Sequence, residues 1–379
     1  MVVSASLVLA ALPVFLVGGL AVQIRSDLGF SESALGAAVT IGFTAGALAA
    51  PFGGRIADRL GPRASLYSGA FLAVIALLGI GLVADTWGVL VLFLVVTGLA
   101  LAVTDPGLAI LVGRAIHPQR QGLAFGIKEA SIPAATLAAG LAVPAIALTV
   151  GWRWAFGIGV VPLLIVVFLL PRVVRDSEPP SPVVRQPTEA SPRTPQRRAI
   201  ILSAIAAALG TAAASGVGVF LTESAVAMGM TQGNAGFLLA AGSGAGIVAR
   251  ISAGVVADRT GGPQFKLISV MLGVGAVTMA LGGTGSTAFL VLGTIGAFTG
   301  GWAWTGIFFL SLIKTSPATP GAVAGIGSFS LGVGNASGPL LFGLIAQNAS
   351  FAAAWLAAGI AAGIGAVFMA AARRQESVG

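Results

Sequence analysis

The sequence predicts an all-α membrane protein, with twelve transmembrane helices arranged as two pseudo-symmetric six-helix bundles. Three observations predict it. Hydrophobic residues make up 56% of the 379 and charged residues only 8%, against about 25% charged in soluble chains. Mean hydropathy over the whole length is +0.99, which excludes a soluble enzyme carrying a hydrophobic patch. One long polar stretch divides the chain into nearly equal halves, and the halves repeat each other.

A transmembrane helix needs about 20 mostly apolar residues. Apolar stretches bounded by polar, Pro or Gly punctuation place six in the first half, near 3–23, 33–57, 64–85, 87–112, 122–149 and 153–171. Six more follow near 199–222, 233–257, 265–285, 286–313, 320–346 and 350–372. The first runs from Met1 without a basic region before it or a small-residue cleavage site after it, so it reads as a retained helix rather than a signal peptide. Arg172 to Arg198 holds six arginines and six prolines. Such a segment cannot bury a core and reads as a linker. The expected domains are therefore an N-terminal bundle over 1–171, a basic linker over 172–198 and a C-terminal bundle over 199–379.

An ungapped offset of 200 pairs Gly36, Gly42, Gly46 and Gly54 with Gly236, Gly242, Gly246 and Gly254. It also pairs Ala57, Asp58, Arg59 and Gly61 with Ala257, Asp258, Arg259 and Gly261. Sharing both charges in so charge-poor a chain marks a duplication. At an offset of 199 the repeat continues through Gly122 and Gly321, Gly126 and Gly325, and Ile127 and Ile326.

With the N-terminus in the cytoplasm, 16 of the 20 Lys and Arg residues fall on the cytoplasmic side, only Arg25 and Arg153 fall outside, and Lys128 and Arg250 lie within spans. This asymmetry predicts a multi-pass plasma-membrane protein with both termini cytoplasmic. It also accounts for the net charge of +8 without a nucleic-acid partner.

The loop after the second span reads Gly54-Arg-Ile-Ala-Asp58-Arg59-Leu-Gly61-Pro-Arg63, and the loop after the eighth reads Gly254-Val-Val-Ala-Asp258-Arg259-Thr-Gly261. Glycine lets a helix end approach its neighbour, aspartate offers a charge-assisted hydrogen bond at the boundary, and arginine holds the headgroup side. The first copy resembles the G-x-x-x-D-R-x-G-x-R loop motif of the major facilitator superfamily. The twelve spans, paired halves and basic central loop resemble that family along the whole chain. The resemblance implies a monomeric secondary transporter working by alternating access, with no cofactor. It also implies that Gly54, Asp58, Arg59, Gly61 and Arg63 form a latch that stabilises one access state. The second copy, Gly254, Asp258, Arg259 and Gly261, lacks an arginine matching Arg63, which leaves its latch role open.

Ionisable residues inside a span are costly and mark function by default. Four are expected: Asp105 in the fourth span, Lys128 and Glu129 in the fifth, and Arg250 in the eighth. Arg250 stands eight residues before Asp258, about 12 Å along a helix, too deep for easy snorkelling. Lys128 is shallow enough to snorkel. In the repeat, Arg250 corresponds to Ala50, so shared architecture does not require an arginine there. A guanidinium suits a carboxylate because it offers parallel donors. Arg250, Lys128 and Asp105 are the candidate substrate-binding residues, and Asp105 and Glu129 the candidate proton-coupling residues. The alternative is that the four, whose charges sum to zero, simply pair. Lys128 and Glu129 are consecutive, so their side chains are expected to diverge by about 100° on a helix.

The run from Arg250 to Asp258 also resembles the eighth span of monocarboxylate and related organic-anion transporters. Gly126-Ile-Lys128-Glu129 resembles a Gly-Ile-Lys-Gln stretch of cyanate-type members, with glutamate in place of glutamine. These resemblances imply a small organic anion as substrate, moved with or exchanged for a proton or another anion. A proton-driven exporter of amphipathic compounds is the alternative. Against it, the fifth span lacks the G-x-x-x-G-P-x-x-G-G pattern of drug antiporters.

A polytopic membrane enzyme is disfavoured. The chain has no cysteine and one histidine, His117, which sits among polar residues and reads as a solvated loop residue. One imidazole makes neither a zinc site nor an acid–base pair. No P-loop, G-x-S-x-G or H-E-x-x-H motif occurs. Trp302 and Trp304 are expected on opposite helix faces in packing or lipid-facing roles. The clusters Gly242-Ser-Gly244-Ala-Gly246 and Gly332-Val-Gly334 are expected to be packing seams rather than nucleotide loops.

Overall fold

The computed structural model describes residues 2–115, 120–173, 194–316 and 320–376. His117 and most of the linker lie outside the described residues. The first span consists of α1 (Val2–Gly19) and α2 (Ala21–Leu28), bent by 68°. Helix α3 (Glu32–Val83) carries the second and third spans in 52 residues; unbroken, these would reach about 78 Å, more than twice the ~30 Å bilayer core. Instead α3 kinks at Gly61, whose φ of 85° suits only glycine. Helix α4 (Trp87–Ala115) is the fourth span. The fifth is α5 (Gln121–Glu129), α6 (Ser131–Ala142), a π-helical turn and α7 (Leu148–Val150), and α8 (Trp152–Val173) is the sixth.

In the second half, α9 (Thr194–Ala227), α10 (Gln232–Thr260) and α11 (Phe265–Gly282) are the seventh to ninth spans. The tenth is α12 (Thr287–Gly296), a π-helical turn over Ala297–Gly301 and α13 (Thr305–Thr315). Helices α14 (Pro320–Asn348) and α15 (Phe351–Glu376) complete the bundle. Among the described residues, ten helices are long and apolar enough to cross a membrane. Counting the bent pair α1–α2 and the second span within α3 makes twelve. Two boundaries differ from expectation. No loop separates the second and third spans, because the glycine kink turns the chain within one turn of helix. Helix α9 begins at Thr194, inside the sequence that reads as linker; Pro195 fits there because a first-turn residue needs no intrahelical N–H donor.

The duplication extends to the helix caps. The Ser31 hydroxyl accepts from the Ala34 N–H at 3.3 Å and starts α3. Its counterpart Thr231 accepts from the Asn234 N–H at 3.3 Å and starts α10. Gly61 and Gly261 share positive φ, at 85° and 67°.

The halves meet along α3 and α14, and along α5–α6 and α10. Small residues permit this. Gly36 lies against Pro339, Gly122 against Gly254 and Gly140 against Gly236, with no room for a Cβ. Gly242 and Gly246 pack on Phe298 and Gly334 on Thr211, so these clusters are packing seams. One apolar cluster containing Phe15, Phe220, Trp302, Phe342 and Trp355 runs through both halves. A second gathers Phe265, Leu272, Trp304 and Phe308.

Candidate functional site

The four ionisable residues that the sequence places within spans come together as one chain of alternating charge across the two halves. Lys128 Nζ lies 2.6 Å from Asp105 Oδ1 and 3.0 Å from Glu129 Oε1. Glu129 Oε2 lies 3.5 Å from Arg250 Nη1. The first half supplies Asp105 from α4 and Lys128 and Glu129 from α5. The second half supplies Arg250 from α10 and Thr305 from α13, whose hydroxyl donates to Glu129 Oε2 at 3.3 Å. Lys128 is 5% exposed and stacked over the Phe309 ring, so it stays in the bundle and does not snorkel. Lys128 and Glu129 both lie within α5, and their long side chains still meet, reaching round the helix to bond to each other. Asp105 is the accessible end, its side chain 47% exposed, whereas Arg250 at the other end is 2% exposed.

Two helix breaks give Arg250 its partners. In an unbroken α5–α6 helix the Glu129 carbonyl would accept from the N–H of residue 133. That residue is proline, with no N–H to give. Arg250 Nη1 donates to the freed Glu129 carbonyl at 2.8 Å and to Thr305 Oγ1 at 2.8 Å. Across the site, α13 restarts at Thr305 after the π-helical turn, and Arg250 Nη2 donates to the Trp302 carbonyl at 3.1 Å. The guanidinium also lies over the Trp302 ring, 5.7 Å from its centroid. Its Nε is buried without a hydrogen-bond partner.

The break voids the helical spacing used to place Trp302 and Trp304. Both are buried, at 5% and 0% exposed, so neither faces lipid. Trp302 packs on Phe15 and Phe298, while Trp304 packs on Phe308 and donates its indole N–H to the Gly301 carbonyl at 2.7 Å. Sequence reasoning did not single out Thr305 or the bond from Ser243 to Thr136, 2.9 Å across the halves. Their only signal is a hydroxyl in an apolar span.

The two loop motifs differ. Asp258 crosses to the other half and caps the start of α5, where helix N–H groups lack internal partners. Its Oδ1 accepts from Gly122 N at 2.6 Å and its Oδ2 from Leu123 N at 2.8 Å. Gly254 makes room by packing on Gly122. Asp58, Arg59 and Arg259 are exposed, and Arg63 lies over the Tyr67 ring, 5.9 Å from its centroid.

At the opposite end, the two cations expected outside are each shared between carboxylates. Arg25 binds Glu32 at 2.9 Å and Glu223 at 2.7 Å. Arg153 binds Asp27 and, at 2.9 Å, Asp85.

The sequence pattern of the Major Facilitator Superfamily matches residues 3–309. An MFS-type efflux pump of Mycolicibacterium smegmatis is 32% identical over 269 residues, covering 65% of this chain and 58% of that protein. A Bacillus subtilis protein named for metabolite transport is 26% identical over 165 residues, covering 42% and 35%. An uncharacterised MFS-type transporter of Mycobacterium tuberculosis is 30% identical over 122 residues, covering 31% and 21%. The chain thus spans between about a fifth and three fifths of the curated relatives it matches. The crystal structure of a D-xylose-proton symporter superposes with a TM-score of 0.76 at 15% identity, covering 97% of this chain and 95% of that one. Duplicated six-helix halves, paired loop motifs and a charged chain between the bundles thus coincide with a sequence match over more than half the length, and the chain belongs to the major facilitator superfamily, as a multi-pass membrane protein.

Proposed function

We propose that the chain carries a small organic anion of the monocarboxylate class together with a proton. The observation that carries this reading is the charge sum of the central chain, buried from Lys128 to Arg250 and open at Asp105: Asp105 and Glu129 offset Lys128 and Arg250, so the fixed charge is zero. An anion entering such a site adds an uncompensated charge in low dielectric. A proton taken by Glu129 or Asp105 cancels it and releases a cation to the substrate. Arg250, with an unused Nε and a guanidinium held at the junction of the halves, receives the carboxylate alongside Lys128. The basic end faces the cytoplasm, in line with the arginine distribution.

In this reading the loop motifs act alternately. Asp258 holds the start of α5 in the state described. The repeat partner of Gly122 is Gly321 near the start of α14, so Asp58 makes the matching contact there when the halves rock. A second reading, export of amphipathic compounds, draws on the relative named as an efflux pump.

Uptake of a labelled short monocarboxylate into proteoliposomes decides between them. The anion reading expects accumulation driven by an inward proton gradient, and loss of that dependence in Glu129→Gln or Asp105→Asn. Transport of lipophilic cations with no response to carboxylates would overturn it in favour of export.

A further inference from the structure

The charged cluster at the end opposite the arginine-rich loops holds a group that the central site does not use. Glu223 on α9 is 4% exposed, and Arg25 of the other half donates to its Oε1 at 2.7 Å. Its second oxygen, Oε2, is buried and accepts no hydrogen bond. Arg25 also binds Glu32 of its own half at 2.9 Å and donates from Nε to the Phe30 carbonyl at 3.1 Å. One guanidinium therefore serves two carboxylates. Among the described residues, other elements bring no further charge to it. Helices α1 and α14 contain no ionisable residue, and those of α10 and α15 lie toward their opposite ends, at Arg250 and beyond and at Arg373 and beyond. On α2, Asp27 is turned away to Arg153 and Trp152. A cavity of about 370 Å³ lined by Arg25, Ser26, Glu32, Glu223 and Ala227 gives the cluster a route to the aqueous phase.

We propose that Glu223 is a proton-binding site that operates the gate at this end. Ionised, Glu223 pins α9 to α2 through Arg25 and leaves the cluster with one excess negative charge. A proton on Oε2 removes that charge and dissolves the ionic bond between the halves. Arg25 is not stranded, because Glu32 travels with it in the same half. The gate is thus closed with Glu223 ionised and free to open once it is protonated. Of the remaining contacts across this end, Gln23 to Gln232 at 2.8 Å and Ser33 N to Gln347 at 3.1 Å are between neutral groups and do not titrate. The inference is independent of the substrate class proposed above.

The absence of native cysteine makes the test direct. Spin labels at Ser33→Cys and Asn348→Cys, on α3 and α14, report the distance across this gate in nanodiscs. The wild-type background is expected to gain a longer-distance population as pH falls. Glu223→Gln shows that population at every pH, and Glu32→Gln, which leaves Arg25 only Glu223, moves the midpoint to lower pH. A pH response that survives in Glu223→Gln would overturn the proposal. So would a longer-distance population that follows sodium concentration at fixed pH, which would make the ligand a metal cation.

Discussion

Arg250 concentrates the physics of the site in one residue. Its fork satisfies two carbonyls that helix breaks leave unpaired, at Glu129 and Trp302, and meets a carboxylate at the same time. Arg250→Gln should therefore abolish anion binding and also lower the melting temperature, since each buried carbonyl left unpaired costs about 1–3 kcal/mol. Arg250→Lys separates the two effects. An ammonium keeps the charge but not the planar fork, so the variant should insert and fold while losing at least about tenfold in substrate affinity, or about 1.4 kcal/mol. A thermal-shift titration against carboxylates, inorganic anions and cationic drugs measures both; unaltered carboxylate affinity in Arg250→Gln would remove Arg250 from the substrate site. The sequence made the four charges legible, because an apolar background exposes them. It did not make their partners legible. Arg250 bonds mainly to backbone carbonyls, and no residue type announces a freed carbonyl. Lys128 and Glu129 diverge on a helix, and the reach of their long side chains, which brings them together, is not written in the spacing.

Helices that break at chosen points are what bring those carbonyls into reach. Pro133→Ala restores an N–H at residue 133 that competes with Arg250 for the Glu129 carbonyl. Pro133 stands in the first turn of α6, where no intrahelical N–H donor is required, so the variant should melt close to the wild type and transport more slowly as α5 and α6 fuse. Melting temperature and initial uptake rate in the same preparation check this; faster uptake would mean that the break plays no part in turnover. At the loop motifs, Asp258→Ala removes the acceptor for two N–H groups at the start of α5. It should cost about 1–2 kcal/mol, as a lost helix cap does, and increase proteolytic cutting at the arginine-rich end. Asp58→Ala should leave the stability of the state described unchanged, because Asp58 is exposed there. The duplicated Asp-Arg motif was readable in sequence. Which copy is engaged was not, because that depends on the access state rather than on composition. The tenth span shows the converse. Its apolar run predicts a continuous helix, but the turn at Trp302 to Trp304 is stabilised by Arg250 from α10 and by the Trp304 indole of the turn itself.

For the whole molecule, the distribution of charge decides what can cross. The bundles, their pseudo-symmetry and the arginine-rich end follow from hydropathy and repetition, quantities that a single sequence carries in full. The closed seam between the halves required the structure, since glycines at 36, 122, 140, 236 and 254 acquire meaning only when their opposite backbones are known. In the proposed reading, a central chain with no net charge admits an anion only with a compensating proton, so transport should be electroneutral. Uptake of a monocarboxylate into proteoliposomes, with the proton gradient and the membrane potential clamped independently by ionophores, tests this most directly. The account predicts accumulation that follows the proton gradient and is indifferent to the potential. Accumulation that follows the potential at zero proton gradient would contradict it.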